Sequence, residues 1–597
     1  MSKLSSGDRL KLVEAARGKR PCTMVIKDIK FVNVFTGEIY PAEVGIYKDY
    51  IAHVKHLTGE KENGEEGDWQ AKNVISGGNN YLIPGLVDTH VHIESSMLTP
   101  ENFARIALKN GTTTAVIDPH EIANVAGKEG VKYMLSASRG LPMDQYVLVP
   151  SCVPAVPGLE GAGAKFSGED IGELLQKERV LGLAEVMDYP GVIDGSARMR
   201  KIIQAALDNN SVIQGHAPGL TGRSLSAYLC AGPKSDHETA STEEAKEKLR
   251  SGMTLDLRES SIAQNLERLI PALEGMNSPI NLTFCSDDRE AEELLHQGHL
   301  NYVVARAIEE GMESVEAIRS ATLKAARSFG LNKHGAIAPG YLADMLLVPS
   351  LKDLKPEAVF YRGKKVVEEG ELRAEFPRRS FDMEQKNTVK LPRLQKKHFR
   401  IGGKCLTGKV TANIIEYPGQ DDAYTDFALR ELQLQDGFLS DEDCDDLNYV
   451  AVFNRHGEED MTVTLIENFG LKEGALASTV AHDSHNLVVV ASRPEDGLKA
   501  ARRLNSQGGG MVCVEDGEVC AFIELPIGGL MSSLKASKLA PAIKNFKERL
   551  SSMGFKEENP LLKITSLTLP VIPRARITDR GLVDVKTQSL RPVIDES

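Results

Sequence analysis

The sequence predicts an α/β protein: a (β/α)8 TIM-like barrel with a small flanking β-sheet domain and an additional C-terminal α/β or α+β domain. Three observations carry that prediction. The chain has 597 residues, more than a single hydrophobic core accommodates. Between about residues 81 and 335, short apolar strands alternate with helical segments, the pattern of βα units. Several of these strands end in His, Asp, Glu or Arg, and the C-terminal strand ends of such a barrel form its active face. A doubly wound sheet would share the alternation; the polar strand ends decide for the barrel.

In chain order, residues 5–18 predict an amphipathic helix with Leu10, Val13 and Ala16 near one face. From Cys22 to about Ile75, short β segments (TMVIKDIKFVNV, EVGIYKDYIAHV) are broken by turns, and residues 58–69 (TGEKENGEEGDW) read as a polar, acidic loop. Residues 1–80 thus form a helix and a β-rich flank. The barrel occupies 81–335, opening on YLIPGLVDTHVHIES and continuing through TTTAVID, QYVLVPS, VLGLAEV, SVIQGH, TLDLR and INLTFCSDD. Residues 336–373 return to short strands, expected to pair with the first flank. Residues 374–400 are charged, carry two prolines and show no sustained period, the signature of a linker. Residues 401–597 form the C-terminal domain, with strands such as NLVVVAS and MVCVEDGEVCAFIEL.

Hydrophobic residues at 41% and charged residues at 26% describe an ordinary globular protein. The net charge of −13 repels phosphate backbones and anionic membranes, and a single Trp leaves few platforms for stacking bases. Neither nucleic acid nor membrane is expected as a partner. Eight cysteines, at 22, 152, 230, 285, 405, 444, 513 and 520, form no C-x-x-C pair and read as buried small apolar residues. The N-terminus has no apolar signal-peptide core, and no apolar run reaches the roughly 18 residues of a membrane span. A cytoplasmic enzyme, forming a homo-oligomer such as a dimer, is expected.

The chemistry begins at His90-Val91-His92. Alternation along a strand puts residues i and i+2 on one face, so both imidazoles can address one metal. Glu185, His216, His237 and Asp287 follow at later strand ends. Each alone has an ordinary explanation, a core histidine bonded to a carbonyl or an acidic helix cap; the conjunction does not. Four imidazoles and two carboxylates are a mixed N/O set suited to divalent Zn, Mn or Fe. Two carboxylates and a hydroxide nearly balance the charge of two such ions, whereas one ion would leave an excess of negative charge.

These residues resemble the amidohydrolase superfamily, whose metal centre uses H-x-H on strand one, a bridging group on strand four, histidines on strands five and six, and an Asp on strand eight. Many members bridge with a carboxylated lysine; here Glu185 stands at that place, in GLAEVMDYPGVI. HVHIESSMLTP, DPHEIANV, SCVPA, AEVMDYPGVI, GHAPGL, SDHE, HDSHNLVVV and LPIGGLMS are similar, in order, to the motifs of the adenine deaminase family, over about residues 10–580. Two places depart from the family pattern. Arg258-Glu259-Ser260-Ser261 stands where R-E-G-S is usual, and Arg289-Glu290-Ala291 follows the metal-site aspartates where His or Asn and Pro are usual after the Arg.

The resemblance implies hydrolytic deamination of a free purine base, adenine first, at two divalent ions, Mn²⁺ or Fe²⁺ ahead of Zn²⁺. A deaminase of another aminopurine, or a cyclic-amide hydrolase of the hydantoinase or dihydroorotase kind, are the alternatives. Asp287 is expected both to bind metal and to pass water's proton to the leaving amine. A second acid should protonate the ring nitrogen beside C6, with Glu121, Glu94 and Glu259 as candidates. His120 is expected to hydrogen-bond behind the metal ligands or to join a third metal site. His482, Asp483 and His485 either lend polar groups to the active site or an extra metal, or form a structural turn. Gly508-Gly509-Gly510 lacks a phosphate-loop lysine and reads as a turn.

Overall fold

In the computed structural model, residues 4–57, 70–261, 263–418, 425–440, 447–557, 559–572 and 574–595 are described. The acidic stretch 58–69 and Cys444 lie outside them.

Eight short parallel strands form the barrel: Leu86–Val91, Thr112–Ile117, Asp144–Val149, Val180–Val186, Val212–Gly215, Ser235–Asp236, Thr254–Arg258 and Leu282–Cys285. The first five pair in sequence order, as do the last three. The ring closes where the Asp287 N–H donates to His90 O (3.0 Å), and where the Lys234 N–H donates to Ile213 O (3.0 Å). Most strand residues are buried on both faces, as expected of parallel strands wrapped by helices, which is why they read as near-continuous apolar runs.

The segments before and after the barrel interleave in one nine-stranded sheet. Tyr81–Pro84 joins them, pairing parallel to Met24–Val32 on one side and antiparallel to Met345–Val348 on the other. The N-terminal helix runs Ser6–Ala16, capped by Ser5. Its face differs from the expectation. Leu10 and Val13 are exposed, while Ala15 and Leu12 pack on Cys22, Val25 and Ala52. With so few apolar residues in the helix, sequence periodicity did not fix which side the sheet would cover.

Residues 374–400 contain two 3₁₀ turns, Asp382–Gln385 and Lys396–Phe399, and lie strapped to the molecule. Arg105 stacks on Phe376 at 3.9 Å, Phe381 meets Tyr133 edge-on, and Phe399 is buried beneath the C-terminal sheet. That sheet has ten strands, mostly antiparallel, so the C-terminal part is α+β. Helices Pro494–Gln507 and Ala536–Ser552 cover it. One apolar core runs from the barrel into this part, joining Ile122 and Met97 to Ile527, Met531 and Leu561. The Asn102 amide donates to Ser533 O and Leu534 O (both 3.0 Å), and Lys547 pairs with Glu290 at 2.5 Å. The C-terminal part is thereby held over the barrel face that carries the polar strand ends.

Cys22, Cys152, Cys285 and Cys513 are buried as expected, but Cys230 and Cys405 are exposed and Cys520 is half-buried. Among the described residues, no helix is long and apolar enough to cross a membrane.

Candidate metal-dependent active site

His90 and His92 project from the end of the first barrel strand, both buried, with their Nε2 atoms 2.9 Å apart. The hydrogen-bond partners of the rings' other nitrogens fix what those atoms are. His90 Nδ1 lies 2.9 Å from Gln214 Oε1, and Gln214 is oriented by donating its own Nε2–H to Thr89 O (2.8 Å). His92 Nδ1 lies 3.0 Å from the carbonyl of Asp118. Both acceptors demand an Nδ1–H. In the neutral rings, therefore, two Nε2 lone pairs face each other, an arrangement that repels unless a proton on one Nε2 or a metal cation lies between them.

Glu185, at the end of the fourth strand, divides its oxygens between two groups of ligands. Oε1 lies 3.5 Å from His92 Nε2 and 3.9 Å from His90 Nε2; Oε2 lies 2.6 Å from His216 Nδ1 and 3.2 Å from His237 Nε2. Ligand atoms each about 2.1 Å from one divalent ion stand roughly 3.4 Å apart in tetrahedral geometry, so both groups have the spacing of a metal shell. Asp287 completes the ring, Oδ1 being 3.4 Å from His92 Nε2. It sits in left-handed backbone (φ 54°), which Asp tolerates better than most residues. Burial pushes the carboxyls of Glu185 and Asp287 up. His216 and His237 outweigh it for Glu185, and Arg258 and His92 outweigh it for Asp287, so both are held well below the usual carboxylate range. The all-N/O donor set and the facing lone pairs fit a divalent cation. All six predicted ligands are brought together here.

The candidate acids fare differently. Glu259 is not brought in: its Oε2 accepts from the Leu266 N–H (3.3 Å). Its neighbour Arg258 takes the inward direction and pairs with Asp287 and Glu238, and adjacent strand-end residues point apart. Glu94 is buried beside the centre, its carboxyl pushed up to about 7 by burial, with Oε1 accepting from the Ile122 N–H. Glu121 is buried too, and both its oxygens are taken up by His482 and His485 of the C-terminal part. His120 lies between the groups, Nδ1 3.3 Å from both Asp118 Oδ2 and Glu185 Oε1. Glu238 was not singled out from sequence. Its Oε1 lies 3.6 Å from His237 Nε2 and 2.6 Å from Arg258 Nη1. It is the E of the SDHE motif, directly after a ligand histidine, but the two-residue strand before it gave no alternation to show which way it points.

Beside the metal ligands, a narrow cleft lies between barrel and C-terminal part. Ser95, Met97 and Asp288 line it from the barrel, and His482, Met511 and Leu561 from the other side. Asp288 accepts from the Ser95 hydroxyl, and burial together with the charge of Asp287 pushes its carboxyl up to about 6. A larger hollow, bounded by Thr254, Ile280 and Lys324, lies at the opposite mouth of the barrel, away from this chemistry.

An eight-stranded barrel with a strand-end cluster of histidines and carboxylates defines a metal-dependent hydrolase of the amidohydrolase type, and the amidohydrolase family model matches residues 81–366. The model of the adenine deaminase C-terminal domain matches residues 422–589. The chain is 39% identical to an adenine deaminase of Kosmotoga olearia, over 96% of this chain and 97% of that one. It is 41% identical to adenine deaminase 2 of Carboxydothermus hydrogenoformans, covering 98% and 99% of the two chains. With an adenine deaminase of Clostridium acetobutylicum it shares 38% identity, over 96% and 98%. The chain belongs to the adenine deaminase family.

Proposed function

We propose that this enzyme hydrolyses adenine to hypoxanthine and ammonia at two divalent ions. End-to-end similarity to adenine deaminases supports the substrate. The observation that carries the two-ion reading is Glu185, which offers one oxygen to His90 and His92 and the other to His216 and His237. The imidazole and carboxylate donors, with no thiolate among them, favour Mn²⁺ or Fe²⁺, with Zn²⁺ also accommodated.

When bound, such ions lower the pKa of a coordinated water toward neutrality and so supply a hydroxide nucleophile at pH 7. The chain's own residues do the rest. Asp287, kept ionised by Arg258, accepts the proton of the attacking water and returns it to the amine that leaves C6. Glu238 accepts from both Nη1 and Nη2 of Arg258 and so fixes the guanidinium against Asp287. Asp288, tied to Ser95 at the cleft wall, is placed to bind the purine edge. The apolar cover of Met97, Met511 and Leu561 excludes water from the ring faces.

Ammonia release from adenine, other 6-aminopurines, hydantoin and dihydroorotate by the Mn²⁺-loaded protein tests this reading, alongside metal analysis. Turnover confined to 6-aminopurines with adenine preferred, and about two ions per chain, is expected. Ring opening of a cyclic amide without deamination, or fewer than one ion per chain, would refute it.

A further inference from the structure

Glu121, His482 and His485 form a second buried group of metal-type side chains, outside the six ligands. The tautomer argument that favours a cation at His90 and His92 argues against one here. His485 Nδ1 accepts the Ala481 N–H (3.0 Å), so the ring's proton is on Nε2, the atom that faces Glu121. His485 presents an N–H to the carboxylate, not a lone pair to a metal. Glu121 Oε1 meets His482 Nδ1 at 2.7 Å. Both oxygens of Glu121 thus accept hydrogen bonds, and it has no proton of its own to give. The arrangement is a carboxylate gripped by His482 and His485, with His120 Nε2 of the barrel 3.4 Å from the Oε1 that meets His482, and His482 is wedged between Glu121 and the cleft.

His482 is held at both backbone ends: its N–H donates to Thr565 O (2.9 Å), and its carbonyl accepts from the Thr568 hydroxyl (3.0 Å). With Nδ1 committed to Glu121, only Nε2 remains. It is not a buried orphan, no described protein group bonds it, and the residue lines the cleft opposite Ser95 and Asp288. A carboxylate on one imidazole nitrogen polarises the other as a donor, the logic by which a buried Asp or Glu orients a catalytic histidine.

We propose that His482, oriented by Glu121, is a catalytic residue: its Nε2–H protonates the purine nitrogen beside C6, so that the C-terminal part supplies the acid and the barrel supplies the nucleophile. This rests on the deaminase reading above. Burial lowers the imidazole pKa, but Glu121 outweighs it and lifts His482 to about 9, so the ring is charged at neutral pH. The step balances. As water oxygen adds to C6, the ring nitrogen takes the His482 proton, and one water proton passes by way of Asp287 to the amino group, which leaves as ammonia. Collapse of the remaining C6–OH to a carbonyl releases the second water proton, which restores His482.

The test uses full-length Mn²⁺-loaded protein and the variants His482→Ala, His482→Gln and Glu121→Gln. Metal content, thermal midpoint and adenine kinetics are measured on each, with His482→Ala also assayed in added imidazole. General acids are typically worth roughly 10²–10⁴-fold. His482→Ala should therefore lose at least about 100-fold in kcat at unchanged metal content, and imidazole, entering the space left at the cleft, should restore about tenfold or more. His482→Gln, which keeps the volume, should lose kcat without rescue, and Glu121→Gln should lose kcat more than it raises KM. Turnover by either His482 variant within about threefold of the parent would overturn the proposal. So would a loss in His482→Ala that imidazole leaves unchanged. A parent protein that fails to deaminate adenine at all would instead strike the deaminase reading, which separates the two failures.

Discussion

Replacing Gln214 by Leu removes the hydrogen-bond partner of one metal-facing imidazole while leaving every proposed ligand in place. Gln214 is buried, takes the Nδ1–H of His90 at 2.9 Å and donates to Thr89 O at 2.8 Å. Leucine has a similar volume and neither polar atom. Two buried groups then lose their partners, each costing about 1–3 kcal/mol, so the unfolding free energy should fall by about 2–6 kcal/mol. The second consequence is specific. Without an acceptor at Nδ1, the His90 proton is free to move to Nε2, which then cannot bind metal. Loss of such an outer partner typically weakens metal affinity about 10–100-fold, equivalent to about 1.4–2.8 kcal/mol. A competitive Mn²⁺ titration of apoprotein against a chelator should show one weakened site, the one shared by His90 and His92, with the His216 and His237 site little changed. Gln214→Glu, which keeps an acceptor, should retain the affinity. Unchanged Mn²⁺ binding at both sites in folded Gln214→Leu would refute the assignment of the His90 tautomer and the cation argument built on it.

Asp287→Asn should lower kcat by roughly 10²–10⁴ with metal largely retained, because it removes the base but keeps a ligating oxygen; Asp288→Asn should raise KM more than it lowers kcat, and the reverse pattern would exchange the two roles. Glu185→Lys should abolish most turnover, bicarbonate or not, since a cationic side chain would face both metal positions; activity like the parent's would remove Glu185 as the bridge. At the other end of the barrel, Asp144 is buried among Arg362, His334 (3.1 Å) and Arg179 (3.4 Å), tying the third strand to the flanking sheet. Burial pushes its carboxyl up, but these partners outweigh it and hold the group far below its ordinary value. A depressed folded-state pKa contributes stability that is complete above the unfolded value of about 3.9 and fades as pH falls below it. Asp144→Asn should therefore cost about 3–5 kcal/mol near neutral pH, and chemical denaturation should show the gap to the parent closing as the pH drops below about 4; a gap that does not depend on pH would refute the ionic account.

What the sequence made legible follows from how far each local rule reaches. Strand alternation puts His90 and His92 on one face, and the strands running to Glu185 and Asp287 are continuous apolar runs that stand out in the sequence. The sixth strand is only Ser235–Asp236. Two residues do not establish an alternation, so nothing marked Glu238 as reaching the site beside His237. Glu259 turns away for the opposite reason: the seventh strand is regular, and with Arg258 facing inward the next residue must face away. The N-terminal helix shows the same limit, since the side that is buried was decided by the sheet it lies on.

The two ends of the HDSH segment could be resolved only across chain distance. Glu121 and His485 are 364 residues apart and meet as buried partners. A buried carboxylate without a partner is expensive enough to take up a proton instead; His482 and His485, with His120 of the barrel, outweigh the burial of Glu121 and keep it charged. Further contacts cross at the rim: Glu160, which burial pushes up to about 7, accepts from the Ser484 hydroxyl (2.5 Å), and Gly161 bonds Asp579 and Asn486. Two barrel segments, those after the second and third strands, thus carry polar groups whose partners lie in the C-terminal part. The barrel sequence, read alone, looks complete because the six proposed metal ligands are all its own. Its buried charges are not complete, and they require the C-terminal part to be docked before the cleft has a second wall.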